Sequence, residues 1–237
     1  MSYDDNLPER LIADAFHVLY YHSSVWNHHR TQWLGVGIYN NPLDMWVKQV
    51  IIFETKPTLI IETGSAMGGS ALYFAGILDQ MGRGRIVSVD IQDENSGMGL
   101  PKAQHKRITF LKGDSVSPST LKKIKAMIKP GDHVMVLLDS DHRAEHVLQE
   151  LKAYGPLVTP GCYLVVDDTN LGGHPVINQT VPGPGPWAAV AEYLAKDQTF
   201  EIDQSRHKFY MTWSPNGFLR KKAGSRQQAA GSGQRAT

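Results

Sequence analysis

Short runs of apolar residues recur along the chain, and stretches that mix apolar and polar residues separate them. Because these runs are continuously apolar, they are typical of strands that are covered on both faces of a sheet. Five of them predict strands, over residues 58–61, 86–89, 108–111, 134–138 and 162–166. The mixed stretches predict helices, over residues 69–80, 118–128 and 144–154. Strands and helices that alternate in this way indicate βαβ units with parallel strands.

The chain changes character after the fifth predicted strand. Residues 172–187 contain four prolines and four glycines, which predicts a long loop of the kind that closes over a binding site. A helix over 187–196 and a last pair of strands over 200–202 and 208–213 are expected to follow. The expected fold is therefore α/β and Rossmann-like, with a sheet of seven mostly parallel strands and helices on both faces.

Composition divides the chain into three parts. Residues 1–50 contain several tyrosines and tryptophans and are expected to form a helical, aromatic cap segment. Its rings either pack against the core or a second subunit, or stack on a flat acceptor. Residues 51–222 hold the strand pattern and are expected to form the core domain. Residues 223–237 are rich in Gly, Ser, Gln and Ala, which predicts a disordered tail.

Charge and cysteine content limit the partners and the location. The 237 residues carry a formal net charge of +1, which gives no electrostatic reason to expect nucleic acid or an anionic membrane as a partner. No stretch resembles a signal peptide or a membrane span. The single cysteine, Cys162, excludes an internal disulfide, which fits a reducing compartment. We therefore expect a cytoplasmic protein with a small-molecule partner.

Polar residues follow the first three strands, at the edge of the sheet where α/β folds bind ligands. Residues 62–70 form a glycine-rich turn after an acidic residue, which suits the amino acid end of S-adenosylmethionine (SAM). A carboxylate at the end of the second strand can accept both ribose hydroxyls, and residues 113–115 can meet an adenine edge. Each segment is also common in plain turns and caps, but three in succession favour a nucleoside cofactor. The candidate contacts are Glu62, Gly64, Ser65, Ser70, Asp90, Asp114, Ser115 and Asp139.

Acidic residues end the fourth and fifth strands, which are expected to be neighbours. Asp139 follows the fourth strand, and Asp167 and Asp168 follow the fifth. Three converging carboxylates repel one another unless a cation is present, and their oxygens favour a hard ion such as Mg²⁺, or else Mn²⁺. The alternative is that they are exposed loop carboxylates, some of which cap helices. His142 is the candidate general base for a hydroxyl group, and His174 is the second candidate.

Several of these segments resemble motifs of the cephalosporin hydroxylase/rhamnosyl O-methyltransferase family. The similar segments are residues 33–35, 42–46, 62–70, 138–142, 166–168, 173–175, 182–186 and 214–218. The resemblance implies a class I, SAM-dependent methyltransferase and a homo-oligomer. It also implies metal ligands at Asp139, Asp167 and Asp168 and a general base at His142. Several relatives have Glu-Asp where this chain has Asp167-Asp168, and the shorter side chain implies a shifted metal or one more coordinated water.

The favoured hypothesis is a metal-dependent SAM O-methyltransferase that acts on a hydroxyl of a sugar, carried by a natural product or a glycolipid. One alternative is methylation of a catechol or another phenol, where the same metal would bind two oxygens of the substrate. The other alternative is a SAM-binding accessory protein for an oxygenase. An iron hydroxylase would need two histidines and a carboxylate, and the acidic segments supply no clear histidine pair.

Overall fold

The computed structural model of the protein describes residues 7–23, 30–92, 103–177 and 183–224. The helices of these residues are α1 (Leu7–His22), α2 (Pro42–Thr55), α3 (Gly69–Gln80), α4 (Pro118–Met127), α5 (Ala144–Tyr154) and α6 (Pro186–Lys196). The strands are β1 (Gln32–Trp33), β2 (Val36–Gly37), β3 (Leu59–Thr63), β4 (Arg85–Asp90), β5 (Ile108–Lys112), β6 (Val134–Leu138), β7 (Tyr163–Val166), β8 (Phe200–Ile202) and β9 (Phe218–Lys221).

A sheet of seven strands forms the middle layer, in the order β5-β4-β3-β6-β7-β9-β8. The strands from β5 to β7 are parallel to their neighbours, whereas β9 runs antiparallel to both β7 and β8. The strands β1 and β2 form a separate antiparallel pair. The five predicted strands and the four predicted helices are confirmed, and so is the mostly parallel sheet of seven.

The prediction of a strand over residues 208–213 is wrong. The last strand begins only at Phe218, and the segment before it has no regular structure although Met211 and Trp213 are buried. The backbone N–H of Trp213 donates to the Asp44 carboxylate at 2.7 Å, and its carbonyl accepts from the backbone N–H of Asn170. These partners replace the ladder of a strand, so apolar content here reflects burial against the core rather than pairing in the sheet.

Alternate residues of the central strands face opposite layers of helices. In β3, Leu59 and Ile61 belong to an apolar cluster that also contains residues of α4, α5 and α6. Ile60, between them, belongs to a second cluster with residues of α2 and α3. Helices therefore cover both faces of the sheet, which is why the central strands β6 and β7 have no charged residue and are buried at every position.

The segment before β3 contains α1, the β1–β2 pair and α2. The helix α2 ends at Thr55 and packs in the second apolar cluster, so the predicted boundary between residues 50 and 51 falls inside a core helix. The division into three parts stays a prediction, since residues 24–29 of the cap and 225–237 of the tail lie outside the described residues. Within the described ranges, no helix combines the length and the apolarity that crossing a bilayer requires.

Candidate active site at the carboxyl end of the sheet

A cavity of about 660 Å³ opens at the carboxyl ends of the parallel strands. Its walls come from the residues that follow β3, β4, β5, β6 and β7. From β3 the chain continues to β4 and β5 on one side, whereas β6 and β7 lie on the other side. The cavity therefore lies at the switch in strand order, which is where open α/β sheets bind their ligands.

Glycines allow the turn between β3 and α3 to approach its neighbours closely. Gly64 has a φ of +87°, and a Cβ there would lie 1.8 Å from the backbone oxygen of Asp139. A Cβ on Gly69 would lie 2.2 Å from the backbone oxygen of Gly37. The turn therefore packs backbone against backbone at the floor of the cavity, which only glycine permits.

Glu62 lies beneath this turn and is buried. Its carboxylate accepts hydrogen bonds from the hydroxyls of Ser70, at 2.6 Å, and Ser88, at 2.5 Å. Burial raises the pKa of Glu62 to about 7. Ser65 and Ser70 line the cavity, whereas Glu62 is not among its lining residues. The predicted acidic contact to the cofactor is thus placed behind the serines, where it orients them.

The side chains predicted to bind the ribose and the adenine line the same cavity. Asp90, at the end of β4, accepts a hydrogen bond from the backbone N–H of Ala66 at 2.8 Å, which joins it to the glycine turn. Asp114 and Ser115 follow β5, and the Ser115 hydroxyl lies 3.1 Å from Nε2 of His146 on α5. The structure therefore brings the three predicted segments to one wall of one cavity.

Two carboxylates and an imidazole converge at the opposite wall. One oxygen each of Asp139 and Asp168 and one ring nitrogen of His142 lie within 4.8 Å of one another. Nε2 of His142 is 3.1 Å from Oδ2 of Asp168. Burial, followed by the nearby charges of Asp167 and Asp168, raises the pKa of Asp139 well above its usual range. Burial also raises the pKa of Asp168. Because the ionised form of both carboxyl groups is disfavoured, a divalent cation between these half-buried side chains would relieve the repulsion, and their oxygen and nitrogen atoms fit such an ion.

Asp167 is not part of this cluster. Its Oδ2 is 2.7 Å from the ammonium nitrogen of Lys48, and its Oδ1 accepts a hydrogen bond from the Ser214 hydroxyl at 2.7 Å. Asp168 has a φ of +55°, so the backbone turns sharply after Asp167. The two neighbouring carboxylates consequently face different surroundings, and only Asp168 reaches Asp139 and His142.

Aromatic residues of the cap segment meet the cavity in part. Tyr21 and Tyr39 line it together with Trp213, whose ring packs edge-on against Tyr21 with 5.3 Å between centroids. Trp33 instead packs against Tyr73 on α3, and Trp46 is largely exposed. The cavity thus has an aromatic side next to the acidic cluster.

His174, the second candidate base, lies elsewhere. Its ring stacks on Trp187 with 4.2 Å between centroids, and both residues line a separate cavity of about 340 Å³. Burial lowers its pKa. Of the two histidines considered, the structure therefore places only His142 beside the carboxylates. The loop prediction over 172–187 falls partly on residues 178–182, which lie outside the described ranges.

Two residues at or next to the site were not predicted from the sequence. Lys48 is a buried charge on the apolar face of α2, four residues after the buried Asp44, and this spacing predicts two charged side chains on one face of the helix. Trp213 lines the cavity and lies in the irregular segment for which the sequence predicted a strand. No local pattern identifies such a position, because its burial depends on α1 and α2.

Comparisons with known proteins identify the family of this chain. The sequence profile of the rhamnosyl O-methyltransferase/CmcI family matches residues 24–222. The chain belongs to this family. The rhamnosyl O-methyltransferase of Mycobacterium leprae (strain TN) is 39% identical over 220 residues, which cover 91% of this chain and 93% of that protein. The predicted resemblance is thereby confirmed, and with it the enzyme class of an O-methyltransferase at the level of the family.

Solved structures of CmcI share the fold of this family member. The apo structure of a CmcI variant superposes with a TM-score of 0.62 at 20% identity, and the match covers 85% of this chain and 78% of that one. A Mg–SAM structure of CmcI gives a TM-score of 0.61 at 21% identity, covering 82% and 77%. At this level of identity the likeness shows the fold alone, and it confirms the predicted α/β, Rossmann-like fold.

Proposed function

We propose that the protein is a SAM-dependent O-methyltransferase that requires a divalent metal and methylates a sugar hydroxyl. The observation that carries the proposal is the convergence of Asp139, His142 and Asp168 at the wall of the cavity that Asp90 also lines. The name of the Mycobacterium leprae relative supports a rhamnose-like sugar as the acceptor.

The residues after β3, β4 and β5 are proposed to bind SAM. Asp90 accepts the ribose hydroxyls with the carboxylate that already orders the backbone of the glycine turn. Asp114 and Ser115 meet the adenine edge. Ser65 and Ser70, held from below by Glu62 and Ser88, face the amino acid end. Gly64 keeps this part of the backbone close enough to contact the ligand.

The carboxylates of Asp139 and Asp168 are proposed to hold the metal. SAM supplies a methyl group on a positively charged sulfur, and a divalent cation supplies positive charge that stabilises negative charge on an acceptor oxygen. His142, whose Nε2 lies 3.1 Å from Oδ2 of Asp168, takes the proton of the acceptor hydroxyl. The O–CH₃ bond forms as the S–CH₃ bond breaks, which yields a methyl ether and S-adenosylhomocysteine.

The aromatic side of the cavity is proposed to receive the acceptor. Tyr21, Tyr39 and Trp213 offer flat apolar surfaces next to the acidic cluster. Sugar rings expose faces of C–H groups that pack against such rings, and this packing would direct one hydroxyl towards His142.

The test is a methyl transfer assay with SAM, MgCl₂ and an aryl rhamnoside, with release of S-adenosylhomocysteine and product mass as readouts. We expect Asp168→Asn and His142→Gln each to reduce turnover by at least about 100-fold. Both variants should keep their affinity for S-adenosylhomocysteine in calorimetry, whereas Asp90→Ala should lose it.

The matched control is His105→Gln. Nε2 of His105 pairs with an Asp79 oxygen at 2.9 Å, much as His142 pairs with Asp168. Unlike that pair, His105 and Asp79 do not line the cavity. This variant should be as active as the wild type. Full activity in excess EDTA would contradict the metal requirement. Turnover of catechol without turnover of glycosides would show that the acceptor is a phenol and not a sugar.

A further inference from the structure

A second cavity, of about 340 Å³, has His174 and Trp187 in its lining and shares no lining residue with the candidate active site. Its walls come from α1, from residues 173–175, from the start of α6 and from the segment between β8 and β9. Most of the side chains in these walls can form hydrogen bonds. The volume is at the lower end of the range for pockets that bind small molecules.

Helix α1 faces the second cavity with its polar side. Arg10, Asp14 and His17 recur with the spacing of one helix face, and all three line the cavity. Among residues 8–22, whose side chains the structure describes, only His17 is buried. Large apolar side chains of α1, such as Ile12 at 72% exposure, lie on the outside instead. A surface helix usually turns its apolar side inwards, so the orientation of α1 supplies this cavity with polar groups.

The ring of His17 is buried and neutral. It is 4% exposed, and burial lowers its pKa to about 4. The side-chain amide N–H of Asn170 donates to Nε2 of His17 at 2.9 Å, so Nε2 carries a lone pair. In a neutral imidazole the proton is then on Nδ1. His17 therefore offers the cavity an N–H donor rather than a charge.

Two amide side chains add further hydrogen-bonding groups. Nε2 of Gln204 donates to Oδ1 of Asn216 at 2.8 Å, and both residues line the second cavity. This bond orients the pair and leaves the Gln204 carbonyl oxygen as an acceptor and the Asn216 amide nitrogen as a donor. Arg10 and Asp14, 3.7 Å apart, contribute one charge of each sign. Together with the neutral His17, these side chains carry no net charge.

An aromatic pair gives the second cavity a flat apolar surface. The ring of His174 stacks on that of Trp187, with 4.2 Å between centroids and 11° between planes. Sugar rings pack their C–H faces against such surfaces, while amides and N–H groups bind their hydroxyls. A phosphate would instead require an excess of fixed positive charge. Within the part of the chain that the structure describes, the histidines of this cavity belong to no group that could hold a metal ion.

The second cavity shares a wall with the candidate active site. Thr212 lines the second cavity, and the next residue, Trp213, lines the candidate active site. On α1, His17 and Tyr21 are one turn apart and divide between the two cavities in the same way. Tyr21 and Trp213 belong to the aromatic side that is proposed to receive the acceptor. The second cavity is therefore next to the place where the acceptor would lie.

We propose that the second cavity is a carbohydrate subsite, which holds a neutral sugar unit of the acceptor other than the unit that is methylated. His17, Gln204 and Asn216 bind its hydroxyls, and the pair of His174 and Trp187 packs against its ring. The identity of this sugar as part of the acceptor rests on the proposed function. The subsite adds that the preferred acceptor has at least two sugar units.

Glycoside binding tests the subsite without turnover. Calorimetry compares an aryl monorhamnoside with an aryl dirhamnoside on the wild type saturated with S-adenosylhomocysteine. We expect the dirhamnoside to bind at least about tenfold more tightly, because only its second sugar reaches the subsite. Trp187→Ala and Gln204→Ala should each lose most of this preference and keep the affinity for the monorhamnoside. Gln204 is exposed and leaves the core intact when it is replaced.

Matched controls replace the same residue types outside both cavities. Trp46 is 59% exposed, and Gln198 donates from Nε2 to the Leu194 carbonyl at 2.9 Å; neither residue lines a cavity. Trp46→Ala and Gln198→Ala should keep the full preference for the dirhamnoside.

Methyl transfer gives a second readout. Trp187→Ala and Gln204→Ala should raise KM for the dirhamnoside by about tenfold, with kcat within about twofold of the wild type. Their KM for the monorhamnoside should not change. A merely structural role of the two residues would instead affect both acceptors alike.

The outcomes separate the subsite from the proposed function. A wild type that binds both glycosides equally, or neither, would overturn the subsite. A preference for the dirhamnoside that both variants retain would place the second sugar elsewhere and overturn it as well. Methyl transfer to neither glycoside, with the preference in binding present in the wild type and lost in the variants, would overturn the proposed function and leave the subsite.

Discussion

Asp167 and Asp168 are neighbours in the chain but have different surroundings. Asp167 is 4% exposed and bonded to Lys48 and Ser214, whereas Asp168 lines the cavity beside His142. The two carboxylates therefore have different partners: Asp167 pairs with a buried ammonium group, and Asp168 lies beside an imidazole. Residue type alone does not distinguish them.

Cys162 illustrates burial without function. Its side chain is fully buried, and burial raises the pKa of the thiol to about 11. Because the thiolate is the reactive form, we expect the native protein not to react with dithionitrobenzoate at about pH 8. In guanidinium chloride the single cysteine should react with a stoichiometry of one thiol per chain. Rapid stoichiometric labelling of the native protein would contradict this expectation.

At the scale of elements, the turn between β3 and α3 determines the shape of the cavity. Gly64 is held against the first residue of the acidic cluster, because the backbone of the turn packs on the backbone of Asp139. The end of β6 and the start of α3 are therefore fixed relative to each other. The relative position of the candidate cofactor contacts and the candidate metal ligands therefore depends on the close packing of Gly64 against the Asp139 backbone.

Gly64→Ala should accordingly destabilise the protein strongly. Alanine would be strained by the left-handed backbone conformation, and its Cβ would clash with a backbone atom. Together these effects should lower the free energy of unfolding by roughly 3–5 kcal/mol. Gly82→Ala is the matched control, since Gly82 has a φ of +67° but a Cβ there would meet no atom within 4 Å. It should lose only about 1–2 kcal/mol in urea unfolding. Similar losses for the two variants would show that the approach to Asp139 is not tight.

At the scale of the whole molecule, buried acidic groups make folding depend on pH. Burial raises the pKa of Asp44 from 3.8 to about 7 and that of Glu62 from 4.5 to about 7. Both groups bind protons more tightly in the folded than in the unfolded state. Their contribution to stability is therefore complete below about pH 4 and is lost as the pH rises through about 7.

Without metal, the free energy of unfolding should fall between about pH 5 and about pH 8. The loss expected from Asp44 is roughly 2–3 kcal/mol, and Glu62 adds a loss of the same sign. Asp44→Asn should reduce this slope, because the amide does not ionise. Urea unfolding in EDTA at several pH values measures the effect. A stability that rises over this range, or a slope that Asp44→Asn leaves unchanged, would contradict the raised pKa of these two carboxyl groups.

The order of the elements, and the edge of the sheet at which the candidate site lies, could be predicted from local sequence patterns. Strands covered on both faces are mostly apolar, so β6, which is apolar at every position, could be predicted to the residue. Parallel strands bring their carboxyl ends to one edge, so Asp90 and Asp139 could be assigned to one cavity from the sequence alone. These inferences depend only on the period of the strand and on chain direction, which are local properties.

Which of these side chains contact one another could not be predicted from local patterns and is seen only in the folded structure. Whether Asp167 faces the cavity or Lys48 depends on the position of α2, more than a hundred residues earlier in the chain. The irregular course of the segment around Trp213 likewise depends on the Asp44 carboxylate, which takes the place of a neighbouring strand as hydrogen-bond acceptor. A buried polar group must form its hydrogen bonds with whichever groups the packing brings next to it. These partners come from distant parts of the chain, so no local sequence pattern predicts them.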